Sequence, residues 1–348
     1  MTSTTGDFDP LERRPLGHTA LRVTRLGFGA ASIGGLYREV ADADGIAVVR
    51  LAVERGIRYF DAAPLYGYGN AERRLGAGLA GLPRDDYVLS TKVGRLLVPR
   101  DAIEPGMDVD RQALDGIEDA YYFGTPPVRP VFDYSYDGVM RSVAESLERL
   151  GVGRIDVLYI HDPDDHWEQA ISGAYPALER LRSEGVVRAI GAGMNQSAML
   201  ARFAREGDFD VFLVAGRYTL LDQDAMTELL PICERRGISV VIGGVLNSGI
   251  LGDPRSASRF NYAPAPPAVL ERAAALRAAC DRHGVPIKAA AVQFVLAHPV
   301  VASVLAGVRT AAHLDELLAL ASSPIPAELW ADLRAARLIP EEAPTPAG

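Results

Sequence analysis

Short apolar runs alternate with helical periods along this chain, eight times over. The runs are the stretch ending near Gly29, then 57–62, 87–92, 155–161, 187–191, 211–215, 238–243 and 301–306. Helical spacing of apolar residues covers 42–55, 69–81, 137–150, 167–184, 195–205, 222–236, 267–283 with 288–297, and 310–321. A last helix, 326–337, falls outside the alternation. Strand then helix, repeated, is the pattern of parallel βαβ units. Eight such units in 348 residues predict a closed (β/α)8 TIM barrel rather than an open sheet. The expected organisation is a disordered tail over 1–14, one barrel over 15–338 and a second tail over 339–348. Residues 94–136 break the rhythm by separating the third strand from its helix, and loops of that length are usually functional.

Chemistry in such a barrel sits where strands open into loops. Asp61 ends the second expected strand, Lys92 the third and His161 the fourth, and Tyr66 follows Asp61 in a Gly/Pro-rich turn. Neighbouring strands lie about 5 Å apart, so the four groups can converge at one mouth. A free phenol has a pKa near 10, too high for a base at neutral pH. An ammonium beside it stabilises the phenolate. Lys92 is placed to do this, Asp61 to keep Lys92 charged, and His161 to bond the same substrate oxygen. Such a site moves a proton between a hydroxyl and a carbonyl. It carries no electrons, so a redox reaction there needs a cofactor.

Other features point away from competing chemistries. The glycines Gly76, Gly78 and Gly81 follow a helical run, whereas a dinucleotide fingerprint needs a strand before it. "HDPDDH" from His161 to His166 resembles a metal cluster, but Lys92 at the same mouth discourages a cation, and no metal is expected. Asp164, Asp165 and His166 read instead as a helix start. A net charge of −9 offers no basic surplus for nucleic acid or an anionic membrane. Lone Cys233 and Cys280 and a polar, acidic N-terminus fit a cytoplasmic protein.

With these residues in place, the stretch from about Arg14 to Leu338 resembles the aldo-keto reductases. Asp61, Tyr66, Lys92 and His161 fall on that family's four catalytic positions. "STKVGRLL", "VFDYSYDGVMRSVAESLERLG", "IHDPDDH", "AIGAGMNQ" and "GGVLNSGIL" are similar to its sugar-oxidising branch, the D-threo-aldose and L-fucose 1-dehydrogenases, L-galactose dehydrogenase and pyridoxal 4-dehydrogenase. The resemblance implies a nicotinamide cofactor, NADP or NAD, and a sugar or aldehyde as the small-molecule partner. It places Met194 and Asn195 at the carboxamide, with Met194 where the family has serine and Ala215 near its glutamine. Gly243 stands where many members stack a tyrosine on the nicotinamide. Leu246 and Ser248 match pyrophosphate contacts. Gly307 and Arg309 precede a helix start, a barrel's usual phosphate site, where Arg309 would meet a 2′-phosphate or the pyrophosphate. His313 and Glu316 match positions at the adenosine, and Leu317 replaces an adenine-binding asparagine.

The resulting expectation is an aldose 1-dehydrogenase. The alternatives are a reductase with Tyr66 as acid, a non-catalytic cofactor-sensing subunit, and a hydrolase with paired carboxylates. The long loop is expected to be a lid over the substrate. Its acids Asp108, Asp110, Asp119 and Asp133 would meet hydroxyls, and Tyr121, Tyr122, Phe123 and Phe132 would cover a sugar ring.

Overall fold

The computed structural model describes residues 8–111, 121–252, 259–260 and 263–346. Eight parallel strands close into a barrel: β1 Leu26–Gly29, β2 Tyr59–Asp61, β3 Val88–Val93, β4 Val157–His161, β5 Ala189–Met194, β6 Val211–Ala215, β7 Ser239–Gly243 and β8 Val301–Gly307. Each pairs with its sequence neighbours, and β8 pairs with β1. The alternation therefore reads through directly into topology. The strand bounds shift by up to three residues, most at β5, because glycines dilute the apolar run "AIGAGM".

Side chains alternate along the strands. One set, including Tyr59, Val157, Tyr159, Val211 and Leu213, fills the barrel interior. The other set, including Phe60, Leu158, Ile160, Val214 and Ile242, packs beneath the helices. Those helices include α1 Asp42–Glu54, α2 Asn70–Leu79, α3 Tyr136–Leu150, α4 Tyr175–Ser183, α5 Ala198–Glu206, α6 Leu229–Arg236, α7 Pro267–Arg282, α8 Ile287–Ala297, α9 Ala311–Ala321 and α10 Ala327–Ala335. Gly76 and Gly78 lie within α2. A Cβ on Gly76 would sit 1.9 Å from Leu150 O, and one on Gly78 2.5 Å from Val49. These glycines serve helix contact, not phosphate binding.

The expected tails are not tails where they are described. Pro10 O accepts from Leu26 N at 2.8 Å, and Arg13–Pro15 pairs antiparallel with Arg22–Thr24. This hairpin sends Leu16, Leu21 and Val23 into the barrel's lower end. At the other terminus Ile339 and Ala343 are buried. The apolar residues in these segments are too sparse to register as periodicity, yet each fills a gap in a neighbouring core.

The insertion after β3 also carries regular structure. Arg95–Pro99 and Val128–Phe132 form an antiparallel hairpin, and Leu36 bridges to Tyr122. Tyr37 N donates to Tyr121 O at 2.8 Å and Phe123 N to Gly35 O at 3.0 Å. The insertion is thereby tied to the loop after β1. Asp119 lies outside the described residues.

Candidate active site

The mouth of the barrel divides into two halves. Strands β2 and β4 end in Asp61 and His161, and Lys92 is the last residue but one of β3. The other five contribute Gly193, Ala215, Gly243, Gly307 and Gly29 to the lining of the same mouth. A cavity of about 430 Å³ spans both halves.

In the reactive half, Lys92 and Asp61 are almost fully buried, and Lys92 Nζ donates to Asp61 Oδ2 at 2.6 Å and to Ala62 O at 2.8 Å. Ser90 Oγ donates to the other Asp61 oxygen at 2.7 Å. Burial pushes the Asp61 carboxyl up, while the Lys92 charge and the hydrogen bonds from Lys92 and Ser90 pull it back. Below, Tyr59 OH and Tyr159 OH lie 3.0 Å apart. Tyr66 is half-buried, with its ring centroid 4.7 Å from Lys92 Nζ and 5.7 Å from the His161 ring, which stands perpendicular to it. Its loop is fixed by close backbone approach: Gly67 has φ 62, and a Cβ there would lie 2.0 Å from Gly34 O. Burial, then the charges of Arg95 and Lys92, hold the His161 pKa well below the usual imidazole value. His161 is therefore neutral at neutral pH. A phenol near an ammonium and a neutral imidazole suits proton exchange with a substrate oxygen.

His161 is braced from the insertion. Its carbonyl accepts from Arg95 Nη1 at 2.8 Å and from Tyr134 OH at 2.6 Å. Arg95 is itself buried against Asp110, 2.6 Å from its Oδ2. Sequence reasoning missed Arg95, Tyr134 and Asp162. The positive φ of 43° that turns Asp162 into the cavity leaves no mark in residue spacing.

The bare half fits a planar cofactor ring. A Cβ on Gly29, Gly193 or Gly243 would meet no protein atom closer than 3.5 Å, and none of the three has a positive φ. The protein's own packing does not require glycine there. What these residues leave is flat open space beside the reactive groups. Asn247, buried in the same wall, donates to Gly216 O at 3.3 Å while its Oδ1 has no partner among the described residues, an acceptor available to a ligand donor.

The remaining sequence candidates divide. Asn195 and Ser248 line the cavity, as do Tyr121 and Tyr122. Met194 is 1% exposed, with its side chain in the outer core layer, so it offers backbone rather than a side chain. Leu246 packs against that layer too. Arg309 donates to Ser32 O at 3.4 Å and Leu36 O at 2.6 Å. The backbone N–H of His313 caps on Thr310 Oγ1, and Glu316 pairs with Lys288 at 2.7 Å. Three substrate candidates are not among the residues that line the cavity. Phe123 is 47% exposed. Phe132 stacks on Tyr134 and lies beside His166. Asp133 accepts from Ser135 N and Oγ ahead of α3. In the "HDPDDH" run, Asp164 accepts from Gln196 and His166 pairs with Asp108.

The chain is similar to known proteins over most of its length. D-threo-aldose 1-dehydrogenase of a Pseudomonas species is 45% identical over 325 residues, 92% of this chain and 96% of that protein. Pyridoxal 4-dehydrogenase of Microbacterium luteolum is 42% identical, covering 94% of this chain and 98% of that protein. The holo form of an aldo-keto reductase from Bacillus halodurans superposes with a TM-score of 0.71 at 26% identity, covering 95% of this chain and 99% of that one. The Aldo/keto reductase family profile matches residues 25–337. The chain belongs to the aldo/keto reductase family, and it is a nicotinamide-dependent oxidoreductase.

Proposed function

We propose that this protein is an aldose 1-dehydrogenase, oxidising the C1 hydroxyl of a sugar lactol to a lactone. The observation that carries the reading is the buried Lys92–Asp61 pair beside the Tyr66 ring, with neutral His161 at right angles to it and a bare floor alongside. Its likeness to a D-threo-aldose 1-dehydrogenase supports the choice of substrate.

Tyr66 takes the proton of the C1 hydroxyl. Lys92 stabilises the phenolate that accepts it, and Asp61 keeps Lys92 charged and aimed. His161 donates a hydrogen bond to the same oxygen. Tyr121, Tyr122 and Tyr66 wall the cavity and limit water at the reacting carbon. A bound nicotinamide supplies the hydride acceptor when C1 loses its hydrogen. Gly193, Ala215 and Gly243 would hold its ring, with Asn195 and Asn247 at the edge.

We favour NADP. The half-buried Arg309, just before α9, lies close enough to Arg38, in the segment ahead of α1, for their charges to interact. A 2′-phosphate suits that neighbourhood. Arg309→Ala is expected to weaken NADP+ binding more than NAD+ binding, and equal losses would assign Arg309 to the pyrophosphate. A cytoplasmic setting would keep the buried, unpaired Cys233 and Cys280 reduced. Incubation with NADP+ or NAD+ against aldoses, pyridoxal and simple alcohols, followed by absorbance of the reduced nicotinamide, tests the reading. Aldoses are expected to lead the panel, and a lead by simple alcohols would refute the assignment.

A further inference from the structure

Asp61 is saturated by Lys92 and Ser90, but a second carboxylate, Asp162, also lines the cavity. It follows His161 directly, and its side chain is 18% exposed. Its backbone is held in the left-handed region at φ 43°, a conformation that costs energy in a non-glycine residue. The surroundings enforce it. Asp162 N donates to Gly193 O at 3.0 Å, and Tyr134 OH lies 2.9 Å from Asp162 O. Arg95 and Tyr134 fix the preceding carbonyl.

The carboxylate thus aimed is poorly satisfied. Among the described residues its side-chain contacts are His161 Nε2 at 3.4 Å and Asn195 Nδ2 at 3.4 and 3.5 Å. Charge-assisted hydrogen bonds run at about 2.7–2.9 Å. Burial raises its carboxyl to about 6, with Arg95 and Lys92 pulling down and Asp164 and Asp110 pushing up. At neutral pH it is mostly ionised, a desolvated acceptor in the wall with lone pairs to spare. Such a group is costly until a ligand brings donors.

We propose that Asp162 is a specificity-determining residue that accepts a hydrogen bond from the hydroxyl on the carbon next to the reacting one. It lines the same cavity as Tyr66, and its carboxylate lies 3.4 Å from Nε2 of His161, whose ring stands 5.7 Å from that of Tyr66. The assignment rests on the dehydrogenase reading and deepens it: the substrate must carry a hydroxyl at that neighbour. Losing a hydrogen bond to a charged group weakens recognition by about 10- to 100-fold.

The test pairs substrates that differ only in that hydroxyl. Wild type and Asp162→Ala are compared on D-ribose and D-arabinose against 2-deoxy-D-ribose in oxidation, and on lactaldehyde against propanal in reduction. Cofactor affinity is followed by fluorescence titration. Wild type is expected to favour the hydroxylated member by about 10-fold or more in kcat/KM, with Asp162→Ala bringing the ratio within about 3-fold of unity, while cofactor affinity stays nearly constant. Equal losses on both members would make Asp162 only a support for His161 and overturn the proposal. A preference kept intact in the variant would do the same. If no aldose is oxidised but the lactaldehyde preference exists and vanishes in Asp162→Ala, the aldose reading fails while this assignment stands.

Discussion

Lys92 is a cation sealed inside a barrel, and Asp61 is the charge that makes this tolerable. The two sit 2.6 Å apart, with side-chain exposures of 1% and 3%. Removing one partner of a buried pair strands the other and costs about 3–5 kcal/mol, whereas removing both can cost far less. Asp61→Asn and Lys92→Met are each expected to lower unfolding free energy by that order. The double variant should recover much of it in urea titrations, and strictly additive losses would show that the pair is not coupled. His161 gives a pH signature. Its folded pKa lies below its unfolded value, so it contributes stability above about pH 6.5 that is lost as pH falls. His161→Gln should flatten the decline in urea midpoint between about pH 6.5 and 5. An unchanged slope would mean that the imidazole charges freely in the fold. At this scale the sequence was informative where residue type and strand end coincide, as at Asp61, Lys92 and His161. It was silent at Asp162, whose orientation comes from a backbone turn, and it did not separate Phe123, Phe132 and Asp133, which lie outside the cavity lining, from Tyr121 and Tyr122, which form part of it. Loop composition does not say which way a side chain faces.

Helix α2 shows how an element can carry a motif for mechanical reasons. Gly76 permits the closest approach of α2 to the end of α3, at Leu150. Gly76→Ala is expected to destabilise the fold by about 1–3 kcal/mol through overpacking. Affinity for NADP+ should stay unchanged at temperatures where the variant is folded. A selective loss of cofactor binding would revive the phosphate-loop reading. The insertion after β3 was legible as an interruption but not as a hairpin, because Pro99, Pro126, Pro127 and Pro130 break the strand pattern. Its tie to catalysis, through Arg95 under His161, depends on a long-range ion pair with Asp110 that spacing cannot reveal.

The whole molecule is a barrel whose lower end is closed by the N-terminal hairpin and whose upper end is split between chemistry and space. Closure was legible because eight repeats leave few other topologies. The split was not, since five small residues near strand ends are read as interruptions until the closed barrel brings them to one cavity. Among the described residues no helix is long and apolar enough to cross a membrane. The central claim is that Tyr66, tuned by Lys92 and facing His161, exchanges the proton while the bare floor holds the cofactor. Steady-state turnover of an aldose by Tyr66→Phe, set beside its NADP+ dissociation constant, tests this most directly. The expected result is a fall in kcat of about 100-fold or more with cofactor affinity nearly unchanged. A variant that keeps most of its turnover would contradict the account.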